Sequence, residues 1–307
     1  FLDEIQNIKG WEKFVRRIAD MKYRINITGS NSKMLSSEIA STLGGRFMIV
    51  DIYPYSFPEY LLAQGKNKNY LDILSTKDRA EVLGMYDQYV KYGAFPELVG
   101  IRNKREFLNS IYQTIYLGDI ITRNKITNDF AVRLILKKIA ESITKPLSFN
   151  RLGNILKSAG AAIGKQTVIN YVGYMMESYM LFTLQNYAAK LIQKETSPKY
   201  YFMDNSSAQL ENLVAIELIR RFGREKVFYF ENNVEIDFYI PEEKLAIQVS
   251  MQVLDQIETR EREIGAFLKL RNFIEGARCI LITNSEEAEL DCDGIHVSVV
   301  PAWKWLL

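Results

Sequence analysis

Apolar and polar positions over the first fifty residues follow two rhythms. The apolar start Phe1-Leu2 ends at once in Asp3-Glu4. Trp11, Phe14, Val15 and Ile18 then recur at helical spacing, which predicts a helix over NIKGWEKFVRRIADM. YRINITGS is a short β-rich run closed by Gly29-Ser30. SNSKMLSSEIASTLGG predicts a second helix, capped by Ser30 or Asn31 and stopped by Gly44-Gly45. RFMIVDIYP reads as a further strand. Strand-helix-strand-helix-strand at this spacing predicts a parallel, doubly wound sheet.

Residues 55–143 change character. Pro54 and Pro58 punctuate a turn, and helical patterns then dominate through LLAQG, DRAEVLGMYDQYVKYG, REFLNSIYQTIYLGDIITRN and AVRLILKKIAES. Residues 144–195 read as a Ser-capped helix, SFNRLGNILKSA, and a second helix beginning near Gln166 or Thr167. An alternating run, SYMLFTLQNY, follows. Two short helices before an apolar hairpin predict a winged helix. Residues 196–307 return to α/β: a strand in KYYFMD, a helix in AQLENLVAIELIRRFG, and three successive strands in KVFYFEN, VEIDFYI and KLAIQVSMQV. A helix over 257–274 and strands in ARCILITN and GIHVSVV complete the pattern. The expected class is α/β, in four parts: 1–54, 55–143, 144–195 and 196–307.

Composition narrows the chemistry. Hydrophobic residues make up 48% and charged residues 25% of the chain, an ordinary globular mix. A net charge of +2 gives no global argument for nucleic acid, so any such argument is local. Residues 144–195 supply one: Lys145, Arg151, Lys157, Lys165, Lys190 and Lys194 against Glu177 and Glu195. Lys165, Gln166, Thr167 and Asn170 would open a recognition helix, with Lys suited to phosphate and Gln and Asn to adenine edges. Packing or protein contact is the plainer use of the same helices. Two cysteines form no disulfide framework and no zinc spacing, and the single His296 excludes a multi-histidine metal site. His296, in GIHVSVV, reads as structural. No apolar run approaches about 18 residues, so no membrane partner is expected and the reading is cytoplasmic.

Two constellations carry candidate chemistry. Asp3-Glu4, at the C-terminal edge of a strand, matches a Walker B pair: one carboxylate for Mg²⁺, the next to polarise water at a γ-phosphate. A solvated charged turn is the bland alternative. The second constellation is Glu211 on a helix, Asp237 on a strand and Gln248-Val249-Ser250 on the next strand. It resembles the restriction-endonuclease-like core, whose helix Glu, strand Asp and Glu-x-Lys bind Mg²⁺ and activate water. Here Gln248 and Ser250 stand at the Glu-x-Lys positions, so the site reads as degenerate. Glu235 is assigned to the opposite, solvent face of its strand.

FLDEIQ, the TGS strand end, the Gly-Gly-Arg46 turn and PYSFPEY together resemble a prokaryotic family of AAA+ ATPases. YGAFPELV, YLGDIITR, KYYFMD, LENLVAIEL, VEIDFYI and VVPAWKWLL extend the resemblance in order to the C-terminus, through a domain of unknown function. The resemblance implies a truncated P-loop sheet, a helical lid, a winged helix and a nuclease-like C-terminal domain. It implies ATP and Mg²⁺ as cofactors, with Asp3 on the metal, Glu4 polarising water, Thr28 or Ser30 sensing the γ-phosphate, and Arg46 stabilising transition-state charge on a neighbouring copy of a homo-oligomer. The family's GxxxxGK[ST] loop is absent from these 307 residues, and Gly164-Lys165-Gln166 does not frame one. The expectation is that a preceding segment supplies it and that this chain alone does not hydrolyse ATP. Three functions compete: an ATP-driven switch acting on DNA or a DNA-bound complex, a metal-dependent nuclease, and a non-enzymatic binding or regulatory module with a protein partner.

Overall fold

The computed structural model describes residues 1–5, 8, 10–30, 47–66, 75–161, 163–204 and 209–307. At the N-terminal end, Leu2 and Ile27 form a parallel bridge, closed by Leu2 N–H to Asn26 O (2.9 Å) and Thr28 N–H to Leu2 O (3.0 Å). Helix α1, Trp11–Asp20, starts after Gly10, whose φ of 75° is a left-handed turn that glycine adopts without strain. Trp11 and Val15 bury against Ile5, with Leu2, Ile25, Ile27 and Phe47 around them. The expected doubly wound sheet does not extend beyond this bridge among the described residues. Residues 47–53, expected as a strand, have no regular secondary structure, and Met48, Ile49, Val50 and Ile52 are exposed. A strand without neighbours has no partners for its N–H and C=O groups, so apolar alternation alone does not make one. The expected helix over 31–43 lies outside the described residues.

Helices fill the next stretch, as the periodicity predicts. Helix α2, Phe57–Ala63, and helix α3, Thr76–Tyr92, each open with a capping box, Ser56 with Glu59 and Ser75 with Asp78. Helix α4, Lys104–Gln113, runs into a π-helical segment, Thr114–Thr122. Helices α5, Asp129–Glu141, α6, Phe149–Ser158, and α7, Lys165–Glu177, follow; the Ser148 hydroxyl caps α6 by accepting from Arg151 N–H at 3.2 Å.

Two cores result, and neither follows the boundaries drawn from sequence. Phe57, Tyr60, Val82, Tyr86 and Tyr89 of α2 and α3 pack with the C-terminal α/β part. Tyr116, Ile120 and the buried face of α5 pack instead with α6 and α7. The helical stretch 55–143 is thus divided between two cores.

Strand β1, Leu181–Leu184, joins them. Its antiparallel partner is not a hairpin neighbour but β2, Lys199–Phe202, beyond a short helix α8, Leu191–Thr196. The boundary expected at 195 therefore cuts between two paired strands. Period-two alternation sends Leu181 and Tyr200 into the helical core, and Phe182, Leu184 and Tyr201 into the other. Phe182 and Tyr201 stack at 5.5 Å between ring centroids.

The C-terminal part follows helix α9, Leu210–Phe222. Its six-stranded mixed sheet comprises β3 (Phe228–Glu231), β4 (Glu235–Ile240), β5 (Leu245–Val249), β6 (Arg278–Thr283), β7 (Ala288–Cys292) and β8 (Ile295–Pro301), in the order β3-β4-β5-β6-β8-β7. Pairs β5–β6 and β6–β8 are parallel, the rest antiparallel. Helix α10, Ile257–Leu270, makes the crossover between β5 and β6, as parallel pairing requires. Strand β7 escaped the sequence reading because AELDC carries acidic residues at an exposed edge. The chain closes in α11, Ala302–Trp305, held by Arg221, which stacks on Trp305 at 4.4 Å and donates to its carbonyl at 2.9 Å. His296, read as structural, is exposed between Asp291 and Glu289 across the β7–β8 pair.

Phe182 is fully buried, so Phe182→Ala should destabilise the fold by about 3–5 kcal/mol. Urea unfolding followed by circular dichroism measures it; a loss under about 1 kcal/mol would mean that β1 does not join the two cores.

Candidate functional site

The parallel bridge brings the first carboxylate pair to the expected neighbours. Because Leu2 and Ile27 are in register, the residues that follow each of them lie side by side. Thr28 Oγ1 donates to Asp3 Oδ1, and Ser30 Oγ donates to Glu4 Oε2 at 3.4 Å. Glu4 has a φ of 46°, a left-handed conformation that a non-glycine residue adopts at some cost and that recurs at functional turns. Asp3 is exposed and Glu4 half-buried. Arg46 lies outside the described residues.

A cavity of about 640 Å³ opens beside this turn, lined by Ser30, Asp51, Tyr53, Asp119, Tyr179 and Arg224 among others. Asp119 sits in the π-helical segment, a geometry that clusters at functional sites. Burial raises its pKa, Arg123 at 2.7 Å lowers it, and the charge of Glu4 raises it further. On the far side, burial depresses the Arg224 guanidinium, while Tyr53, Asp51 and Tyr179 act in the other direction. Arg224 donates to Thr183 Oγ1 on β1 at 3.3 Å. The cavity thus lies between the Asp-Glu turn and the strand that joins the two cores. Neither Asp119 nor Arg224 had a role in the sequence reading, because each acts across a distance in the chain that no local pattern encodes.

The second centre gathers Glu211 from α9, Asp237 and Glu235 from β4, and Gln248 from β5. At its middle is a residue that the sequence reading missed. Lys199, the first residue of β2, is completely buried, with its Nζ 2.9 Å from Glu235, 3.7 Å from Asp237 and 3.8 Å from Glu211. Its ammonium also lies 5.2 Å from the Tyr229 ring centroid. Burial alone would lower its pKa, but Glu211, Asp237 and Glu235 outweigh that and raise it. The only sequence signal was a lysine opening an otherwise apolar strand, with Tyr201 two residues on and on the same face. The assignment of Glu235 to the opposite face is corrected, since positions 235 and 237 share a face at a strand period of two, while its expected exposure holds: the side chain is 51% exposed.

Every other donor in this centre is committed. Tyr201 O–H donates to Glu211 Oε1 at 2.8 Å, and Val249 N–H donates to Asp237 Oδ2 at 2.9 Å. Gln248 Oε1 accepts from Asp237 N–H at 2.9 Å, and its Nε2 donates to Glu235 O at 3.1 Å. Ser250 Oγ donates to Gln252 O. Among the described residues, no three metal-ligating side chains stand close enough to hold a metal ion. Burial raises the pKa of both Glu211 and Asp237. Asp237 and Glu235 add to the shift at Glu211, and Glu263 and Glu235 to that at Asp237, all against Lys199.

The third candidate group stays at the surface. Lys165, Gln166 and Asn170 are exposed and Thr167 half-exposed at the start of α7, with Gln166 Nε2 donating to Asn170 Oδ1 at 3.1 Å. Tyr171, Val172 and Met175 are buried, as expected of the opposite face.

The fold is mixed α/β, with a six-stranded mixed sheet, and the N-terminal end is similar to an AAA domain. Residues 1–61 match the AAA domain family, and residues 83–213 match a domain of unknown function (DUF8612). Over its whole length the chain is 33% identical to an uncharacterised protein of Methanocaldococcus jannaschii, 74% of which it covers. It is 29% identical over 98% of its length to an uncharacterised protein of Haemophilus influenzae, covering 76% of that protein. No solved structure matches it. The chain belongs to the family of the archaeal protein. No helix among the described residues is long and apolar enough to cross a membrane.

Glu211 also predicts a pH response. A carboxyl whose pKa is higher in the folded than in the unfolded chain stabilises the fold fully below its unfolded value. That contribution is lost as pH rises through the raised value. The groups facing it are Lys199, Asp237, Glu235 and Tyr201, with Glu263 and Arg262 behind Asp237. Glu211→Gln keeps the acceptor for Tyr201 and removes the titration. Its melting temperature should fall less than that of the parent protein between mildly acidic and mildly alkaline pH; equal falls would exclude a raised Glu211.

Proposed function

We propose that this chain is the switch portion of an ATP-dependent AAA-type protein, in which the state of a nucleotide at Asp3-Glu4 sets the position of the helical and C-terminal parts. The observation that carries this is the pairing across the parallel bridge of Asp3 with Thr28 and Glu4 with Ser30. It sets one carboxylate beside one hydroxyl and the next beside another, which supports a reading in which the first would hold a metal ion and the second would polarise water for phosphoryl transfer. The AAA match over residues 1–61 supports the same reading. Asp3 would hold Mg²⁺, which lends positive charge to the phosphates when bound. Glu4 would orient the attacking water, Thr28 or Ser30 would report the γ-phosphate, and Arg46 would stabilise developing charge across a homo-oligomer interface.

In this reading α6, α7 and the β1–β2 pair form the winged helix, with Lys165, Gln166, Thr167 and Asn170 meeting DNA. The sheet β3–β8 with α9 and α10 is a nuclease-like fold without cleavage activity. The burial of Lys199 among its carboxylates weighs against a working metal-dependent nuclease.

The test is ATP turnover, with and without duplex DNA, by this chain and by a form carrying a GxxxxGK[ST] segment ahead of Phe1. The extended form should hydrolyse ATP, and Glu4→Gln should cut turnover by at least about 100-fold while nucleotide binding survives. DNA should stimulate turnover, and Lys165→Ala should reduce that stimulation and its salt dependence. Turnover insensitive to Glu4→Gln would sink the assignment of the pair.

A further inference from the structure

A helix glutamate and a strand aspartate that face each other repel when buried, and a divalent cation, a shared proton or a basic side chain must offset that repulsion. Here a side chain of the same protein does so. Lys199 reaches the centre from β2, which is not part of the six-stranded sheet, and places a fully buried ammonium within 3.8 Å of Glu211, Asp237 and Glu235. We propose that the Lys199 ammonium is a built-in substitute for a divalent cation, sealing the carboxylate pair into a metal-independent ion cage. This deepens the nuclease-like reading of the C-terminal part and rests on it.

Three features support the substitution. One oxygen of each carboxylate is already held in place, Glu211 Oε1 by Tyr201 O–H and Asp237 Oδ2 by Val249 N–H, which fixes the pair around the ammonium. The amide of Gln248, at the position of a third ligand, is turned to the backbone of β4 at both ends. The charge also fits: the ammonium brings positive charge to carboxyls whose pKa burial raises, so less charge has to be offset than two fully ionised carboxylates would carry. Placing the lysine on β2 has a structural consequence. The cage ties the two-stranded sheet to α9 and β4, so the ammonium serves the joint between the two cores.

The experiment is thermal melting of the full chain at neutral pH, in EDTA and in millimolar MnCl₂. The parent protein should melt at the same temperature in both. Lys199→Ala should melt roughly 10 °C lower in EDTA, since removing one partner of a buried ion group leaves the others uncompensated. MnCl₂ should restore part of that loss, and Asp237→Asn in the same background should abolish the restoration. If Lys199→Ala does not fold in EDTA, folding on refolding with MnCl₂ supports the proposal. Folding of Lys199→Met with Glu211→Gln, which removes charges of both signs, supports it equally. Three results would overturn it: a Mn²⁺-dependent rise in the parent protein lost in Asp237→Asn, a Lys199→Ala variant as stable as the parent, or a destabilised variant that neither Mn²⁺ nor charge removal restores. Mn²⁺-dependent cleavage of DNA by the parent protein, abolished by Asp237→Asn, would instead overturn the nuclease-like reading without cleavage, and the two failures are read out separately.

Discussion

The rest of the structure depends on a ladder of four residue pairs. Strands β1 and β2 are too short and too few to be stable as a free sheet. They persist because each face is buried in a different core, Leu181 and Tyr200 on one side, Phe182, Leu184 and Tyr201 on the other. Asn212 of α9 fastens the end of β2 by accepting from Phe202 N–H at 2.8 Å and donating to Phe202 O at 3.1 Å. At the other end Lys199 anchors the strand in the carboxylate cage. Side-chain alternation within two four-residue strands therefore decides how the helical part and the sheet meet.

That joint is also where the Asp-Glu turn has mechanical access. Ser30, bonded to Glu4, and Asp119, in the π-helical segment, line the same cavity as Arg224, and Arg224 donates to Thr183 on β1. The charge of Glu4 reaches Asp119, whose pKa is raised by burial and further by that neighbouring carboxylate, against Arg123. In the proposed switch this is the route from nucleotide to the two cores. It runs through a π-helical segment and the half-buried Asp119–Arg123 ion pair.

Sequence patterns revealed what is local and little of what is not. Helices α1 and α3–α7 and strands β3, β4, β5, β6 and β8 were legible because their apolar periods and Ser caps are written in adjacent residues. That the strand end at Thr28-Gly29-Ser30 lies beside the Asp-Glu strand was legible because one βα unit fixes which strand ends are neighbours; the pairing of the side chains was not. The pairing of β1 with β2 was not, since α8 intervenes and either strand fits a hairpin of its own. Lys199 was invisible as a site residue: a lysine is ordinarily at the surface, and only tertiary structure shows that three carboxylates surround it. Glu235 was misplaced by overlooking that residues two apart on a strand share a face. The strand expected over 47–53 failed for the opposite reason, an apolar run with no described neighbour to pair with.

The central claim is that the helical core and the sheet core are one cooperative body because they share β1 and β2. Native-state hydrogen exchange tests it most directly. The amides of Val172 in the helical core, Ile247 and Leu281 in the sheet, and Phe182 and Tyr201 in the ladder should exchange with one common opening free energy, the largest in the molecule. If Val172 opens at a distinctly lower free energy than Ile247 and Leu281, with Phe182 and Tyr201 following only one of them, then the two cores are independent and the ladder does not join them.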